Sequence, residues 1–451
     1  MAHVLEWSHA FIGRLDEADA AVFRRRAPEL AGRLGREVAA GRLPFLSMPY
    51  RAVLEEELAG LEPELRRFRH MLLLGIGGSA LGARALQKAF AAGQDGPGHD
   101  GPSLWVADNV CPSVLEGWMK RLVPEETVVV CISKSGGTIE TLAQYFLVRE
   151  WLRSALGADW VRHVIIVTGA DRGFLRSEAE TQGIRALEVP AYLGGRYSAL
   201  SAVGLLPAAF LGMDWRGLLR GAASVAEPLA TASPGALAAV LERHPAFALA
   251  AWARALEMRG YGQLIFFCYM PQWSAFGQWF AQLWAESLGK QGRGMMPVPA
   301  TGVTDQHSVN QMFLDGPRDK GCIFVTCPGM PRGAAFPDAV PEQWAYLRGR
   351  HFGDLLEAES VGTCMALVRS GVPLVRLMPA APTEEAAGAM MLLLEAATVL
   401  TGWLLEIDPL DQPAVELGKR LANARLGASG HDGEQRDLAA FLGTAGRTQE
   451  F

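Results

Sequence analysis

Short apolar runs alternate with helix-length amphipathic segments along most of the chain. The first cluster of runs is MLLLGIG (71–77), LWVAD (104–108), TVVVCIS (127–133), HVIIVTG (163–169) and IRALEVP (184–190). Runs that stay apolar at nearly every position, separated by enough chain for a helix, are the pattern of parallel strands covered on both faces. A second cluster repeats it: QLIFFCYMP (263–271), CIFVTCPG (322–329) and VPLVRLMP (372–379). The pattern predicts an α/β chain with two units, each a parallel sheet layered between helices. Residues 214–258, rich in Ala, Leu and Arg, predict linking helices. The first 45 residues and the tail after about 410 also read as helical, and GQDGPGHDGPS (93–103) and HDGEQ (431–435) as exposed loops. The expected division is an N-terminal helical segment (1–66), a first α/β domain (67–212), linking helices (213–258), a second α/β domain (259–427) and a C-terminal tail (428–451). No short-period repeat is present, but the two clusters are compatible with one fold used twice.

Composition narrows the function classes. Of 451 residues, 50% are hydrophobic and 20% charged, the balance of an ordinary globular protein and far from disorder. The net charge of −6 gives no global attraction to nucleic acid, and Arg24-Arg25-Arg26 is the longest basic run, so recognition of an anion has to be local. Cys111, Cys131, Cys268, Cys322, Cys327 and Cys364 form no C-x-x-C pair and mostly border apolar runs, the usage of reduced thiols in a reducing compartment. The start, MAHVLEWSHAF, has no secretory signal pattern. The longest apolar stretches are interrupted by Pro207 and Glu395, which argues against a membrane span. A cytoplasmic protein follows as the expectation.

Two glycine-rich tracts sit at strand-to-helix junctions. GIGGSALG (75–82) lets backbone N–H groups approach an anion at the positive end of a helix. Three readings fit it: a sugar-phosphate loop, a dinucleotide fingerprint with Asp108 as the ribose-binding acid, or a structural turn. Asp108 stands farther along than the ~20-residue spacing of that fingerprint. The second tract, Ser133-Lys134-Ser135-Gly136-Gly137-Thr138, packs three hydroxyls, a Lys and two glycines between a strand end and a helix N-terminus. That is a concentrated donor set for phosphate oxygens, although the spacing is not that of a Walker loop. The bland alternative is that Thr138 caps the helix and the rest fills a turn.

The segment SAFGQWFAQLWAESLGK (274–290) reads as a nearly all-apolar, hence buried, helix. Gln278, Gln282 and Glu286 recur every fourth residue and fall on one stripe. A carboxylate buried there has to be paired, hydrogen-bonded or functional. An i,i+4 pair with Lys290 is the structural alternative, worth only about 0.2–0.5 kcal/mol. Three further tracts carry polar chemistry. GVTDQHSVNQ (302–311) sets His307 among polar side chains, where an imidazole suits proton transfer near neutrality. DQPAVELGK (411–419) holds Gln412 and Lys419, with Glu416 and Lys419 as a plain surface pair in the alternative, and GGRYS (194–198) places Arg196 after two permissive glycines.

Taken together and in order, GIGGSALG, SKSGGTIET, GGRYSALSAVG, QLWAESLGKQG, DQHSVNQ and DQPAVELGK resemble the glucose-6-phosphate isomerase (phosphoglucose isomerase) family in its shorter bacterial form, over about residues 70–425. The resemblance implies two sugar-isomerase (SIS) type domains and a homodimer whose active site lies between domains at the subunit interface. It implies reversible glucose 6-phosphate to fructose 6-phosphate isomerisation in glycolysis and gluconeogenesis, with no metal and no redox cofactor. By motif, Ser133, Lys134, Ser135 and Thr138 would hold the phosphate and Gly78 and Ser79 line the sugar site. Glu286 would be the base, Arg196 would stabilise a cis-enediolate, and Gln282 and Gln412 would orient the substrate. His307, given by the neighbouring subunit, and Lys419 would assist ring opening. Pro413-Ala414 depart from the Trp-Gly of the family motif, and Ala80 from its more usual acidic or aromatic residue.

Rival functions remain distinguishable. A bifunctional isomerase would also take mannose 6-phosphate. A sugar-phosphate sensor would carry a DNA-binding helix-turn-helix, for which the N-terminal segment gives no support. An amidotransferase-type isomerase would need a Cys where Ala2 stands, and a dehydrogenase would bind a nicotinamide cofactor.

Overall fold

The computed structural model describes residues 2–444 together with Gly446 and Gln449. It has two compact units, one through Pro409 and one from Leu410 onward, so the division falls inside the expected 259–427 domain. The first unit contains ten strands: β1 (Val4–His9), β2 (His70–Leu74), β3 (Ser103–Ala107), β4 (Thr127–Ser133), β5 (Val164–Thr168), β6 (Arg185–Glu188), β7 (Gln263–Cys268), β8 (Met296–Thr301), β9 (Lys320–Val325) and β10 (Leu374–Met378). They form two five-stranded sheets, β3-β2-β4-β5-β6 and β8-β7-β9-β10-β1. The first is parallel throughout, with Leu74 level with Cys131 and Ser133 level with Thr168. In the second, β7 to β10 are parallel in the same chain order as β2 to β5.

All seven residues of β4 and all six of β9 are buried, as central strands covered on both faces require. On the first sheet Leu72, Val129, Ile166 and Tyr145 pack into one core, and on the second Ile265, Phe267, Phe324 and Leu374 do so.

Three local expectations need correcting. The N-terminal segment is not wholly helical: Val4–His9 is a strand that closes the second sheet antiparallel to β10, at the position that β6 fills in parallel in the first. β8 (MPVPAT) carries two prolines and gives no strand-like run. It is tolerated because it is an edge strand: Met296 and Gly302 donate toward β7, so Pro297 and Pro299 fall where a ladder would need no donor. HDGEQ is not a loop, since a helix begins at Asp432.

Residues 214–258 are helical as expected: Trp215–Thr231, Leu237–Arg243 and Pro245–Met258. The first and third pack on Glu384–Leu404, a helix buried at every position from Ala386 to Leu404, and the second packs on Ala27–Ala39. It is the one helix among the described residues long and apolar enough to cross a membrane, and it lies wholly inside the unit. All six cysteines are free thiols. The second unit contains the helices Glu416–Arg425 and Asp432–Leu442.

Candidate active site

In a parallel sheet every strand ends on the same edge, and β2 and β4 are neighbours whose chain leaves in opposite directions, the first by way of β3 and the second by way of β5. Such a switch point opens a crevice beyond the strand ends where ligands bind. GIGGSALG follows β2 and SKSGGT follows β4, so the two tracts flank that crevice. A third tract, GGRYS, follows β6 and packs against the first. A Cβ on Gly78 would sit 2.2 Å from the Gly195 carbonyl carbon, so only glycine allows the two backbones to touch. Gly77, at φ +57, lies beside the amide of Gln282.

Gln282 and Glu286 arrive on the helix Ala275–Leu288, which follows β7 of the second sheet as Leu81–Phe90 follows β2 of the first, and the two helices pack on each other. Glu286 lies beside Arg196, whose Nη1 is 3.3 Å from Oε2, and accepts at Oε1 from the Gln282 amide at 2.8 Å. The guanidinium is almost fully buried, at 1% exposure, while the carboxylate keeps 31%. Arg196 is anchored elsewhere as well: Nε donates to Ser287 Oγ and Nη2 to the Pro409 carbonyl, both at 2.7 Å. The Tyr197 hydroxyl lies 2.9 Å from Ser287 Oγ, and burial pushes its pKa up to about 12. The result is a carboxylate that reaches solvent and a cation that does not, the arrangement needed to hold a base in place while its free edge meets a ligand. Lys290, the bland partner for Glu286, hydrogen-bonds the Asp408 carbonyl. Gln278 is exposed, whereas the side-chain amide oxygen of Gln282 is buried with no hydrogen-bond partner among the described residues.

The hydroxyl tract also departs from its bland reading. Thr138 stands at the N-cap of Ile139–Leu156 but makes no side-chain cap bond; its hydroxyl lies 2.8 Å from Ser133 Oγ. Ser133 Oγ is 3.4 Å from Ser135 Oγ, which accepts from the Gly137 N–H at 3.3 Å. Three hydroxyls therefore converge at the positive end of an 18-residue helix. Gly136 takes φ +65, and a Cβ on Gly173 would come within 2.3 Å of the Ser135 carbonyl oxygen, so the loop is braced from behind by glycine. Burial lowers the pKa of Lys134, and its ammonium has no hydrogen bond or ion pair among the described residues.

Gly78 and Ser79 lie on the short turn Gly77–Ser79 within the first of these tracts. Asp108 is taken by Arg84, at 2.8 Å, which removes the acid that the dinucleotide reading required. His307 is exposed on the turn Thr304–His307 and makes no described contact with Glu286 or Arg196. Gln412 and Lys419 belong to the second unit, where Lys419 Nζ pairs with Glu416 at 2.8 Å. Among the described residues no group of three or more His, Cys, Asp or Glu side chains is arranged to hold a metal. A cavity of about 510 Å³ opens elsewhere, beyond β9 and β10, between Cys327, Cys364 and Arg376, and holds none of the residues expected to act.

Sequence reasoning missed the supports of Arg196. Ser287 and Tyr197 sit next to Glu286 and Arg196 in the chain, and that adjacency was the only available signal. Nothing marks the Pro409 carbonyl.

Residues 62–321 match the family described as phosphoglucose isomerase. A probable glucose-6-phosphate isomerase of Natronomonas pharaonis is 36% identical over 438 residues, covering 96% of this chain and 94% of that one. A hypothetical protein of Thermus thermophilus superposes with a TM-score of 0.83 at 33% identity, over 94% of this chain and 100% of the other. A glucose-6-phosphate isomerase from Chlamydia trachomatis shares the fold, with a TM-score of 0.77 at 20% identity over 97% and 92% of the two chains.

Proposed function

Because this chain is an isomerase of the phosphoglucose isomerase family, we propose that it interconverts glucose 6-phosphate and fructose 6-phosphate, with Glu286 moving a proton between C1 and C2. The observation that carries the reading is the half-exposed Glu286 carboxylate held between the Arg196 guanidinium and the Gln282 amide. Aldose and ketose differ by the position of one hydrogen, so a single carboxylate can remove it from one carbon and return it to the other through a cis-enediolate. Negative charge then develops on the sugar oxygens, and a cation already fixed by Ser287 and Pro409 stabilises it without reorganising.

Ser133, Ser135, Thr138 and Lys134 take the phosphate, and Gly78 and Ser79 form the wall against which the sugar lies. Gln282 and Gln412 orient the substrate hydroxyls. His307, from a neighbouring copy, and Lys419 pass protons to and from the ring oxygen when the pyranose opens. The enzyme works as a homodimer in the cytoplasm, in glycolysis and gluconeogenesis, and neither metal nor redox cofactor takes part.

The test is conversion of fructose 6-phosphate to glucose 6-phosphate by the purified protein in buffer with chelator. Activity is expected to persist, and Glu286→Gln to lower kcat by about 10³-fold with little change in KM. Near-normal turnover of Glu286→Gln would remove the base from the mechanism, and loss of activity on chelation would point to metal-assisted isomerisation.

A further inference from the structure

His307 differs from its immediate neighbours. Its imidazole is exposed and has no hydrogen bond among the described residues, while the residues on both sides are held tightly. Asp305 uses both carboxylate oxygens: Oδ2 accepts from the Thr301 N–H at 2.7 Å and Oδ1 from the Ser308 hydroxyl at 2.6 Å. Gln306 uses both ends of its amide: Oε1 accepts from the Tyr269 hydroxyl at 2.5 Å and Nε2 donates to Glu359 Oε2 at 2.9 Å.

The second pair fixes its own direction. Tyr269 is buried directly after β7, its ring stacked on Phe324 with centroids 4.9 Å apart, and burial pushes its hydroxyl well above the usual pKa. The hydroxyl therefore remains a donor, the Glu359 carboxylate is an acceptor, and only an amide satisfies both. A Leu at 306 would satisfy neither, and a Glu would set one carboxylate against another. The ring also lies directly beneath the turn, since a Cβ on Gly302 would come within 2.5 Å of it. The turn is thus bolted to the second sheet through Tyr269 and to the helix Phe352–Arg369 through Glu359, and His307 is an exposed side chain at its end.

We propose that Gln306, with Asp305, is a positioning residue that holds the turn so that His307 points away from its own unit toward the ring oxygen of a bound sugar. This rests on the ring-opening role proposed for His307. Gln306 touches no reacting atom; it acts only through the histidine. A displacement of about 1 Å in a proton-transfer group can cost ~10²-fold in rate.

The experiment is a double-mutant cycle on glucose 6-phosphate turnover by the full chain, using Gln306→Leu, His307→Ala and the double variant. Gln306→Leu is expected to lower kcat by roughly 10–100-fold with KM within about twofold, because the phosphate contacts that set KM are elsewhere. The double variant is expected to be no slower than His307→Ala alone, which a merely structural role for Gln306 would not produce. Tyr269→Phe, which keeps the buried ring and removes the donor, should lower kcat in the same direction and supplies the cycle if Gln306→Leu does not fold. Losses that multiply in the double variant, or no loss in Gln306→Leu, would overturn the proposal. Wild-type turnover in His307→Ala would overturn the role of His307 itself, and a Gln306→Leu loss in that case would show Gln306 acting by another route.

Discussion

Two glutamates on apolar helices show how little residue type and local pattern say about a carboxylate. Glu286 is half-exposed and paired with a cation supplied from 90 positions earlier in the chain. Glu395, on the helix Glu384–Leu404, is fully buried, both its carboxyl oxygens lack a hydrogen-bond partner among the described residues, and burial pushes its pKa far above the usual 4.5. The first is the base of the proposed mechanism, and desolvation favours the neutral form of the second. The unfolded chain releases the Glu395 proton above pH 4.5 while the folded chain keeps it, so its stabilising effect is full at lower pH and is lost as pH rises toward the folded value. Glu395→Gln is therefore expected to be more stable than the parent at pH 8, by about 1 kcal/mol or more, with the gap closing near pH 4. Urea midpoints at the two pH values measure it, and a less stable variant at pH 8 would mean that Glu395 has an ionic partner. The apolar pattern marked Glu286 as a carboxylate that needs a partner and Glu395 only as an interruption of an apolar stretch; what separates them is distant in sequence, since Arg196 lies 90 positions from Glu286.

At the scale of elements, every central strand was legible, as were the edges β3 and β6 of the first sheet, whereas the edges β8 and β1 of the second were not. β4 and β9 are buried on both faces and carry apolar runs, at 128–132 and 322–325, whereas β8 needs only one bonded side and so accepts Pro297 and Pro299. β1 is a strand because β10 offers it an edge, not because VLEWSH demands one. Helix packing hides its requirements in the same way. Trp215–Thr231 and Glu384–Leu404 meet backbone to backbone: a Cβ on Gly388 would lie 1.9 Å from the Leu218 carbonyl oxygen, and one on Gly221 would lie 1.7 Å from that of Glu385. Gly388→Ala is expected to cost about 1–3 kcal/mol, despite the better helix propensity of alanine. Gly418→Ala, on an exposed helix with nothing within 4 Å, should be neutral or stabilising by up to about 1 kcal/mol. Thermal midpoints of the two variants compare them, and an undisturbed Gly388→Ala would show that the helices can part at little cost.

At the scale of the molecule, one strand order used twice explains why the site draws on both halves. The helix after β2 packs on the helix after β7, which brings Glu286 of the second sheet to Arg196 and the glycine tracts of the first. The proposed part of His307 extends this to a second copy, and it can be tested without knowing the interface. Glu286→Gln and His307→Ala variants, each slow alone, are expected to regain about a quarter of parent activity when co-expressed, since half the dimers are mixed and each has one intact site. Assembled mixed dimers with no recovery would place His307 in the site of its own chain.

By itself the sequence determined the α/β class, the two strand clusters, the hydroxyl-rich tract at a helix start and the odd carboxylate on an apolar helix. These follow from hydrophobic period and residue chemistry, which act over a few neighbouring residues. Only the tertiary structure decided that Glu286 faces Arg196 and not Lys290, that Thr138 turns to Ser133 and leaves the helix uncapped, and that Asp108 is taken by Arg84. Each of the first and last joins segments brought together by strand order and helix packing, and the second depends on where the β4 end places Ser133 against the following helix, a geometry that residue spacing does not encode.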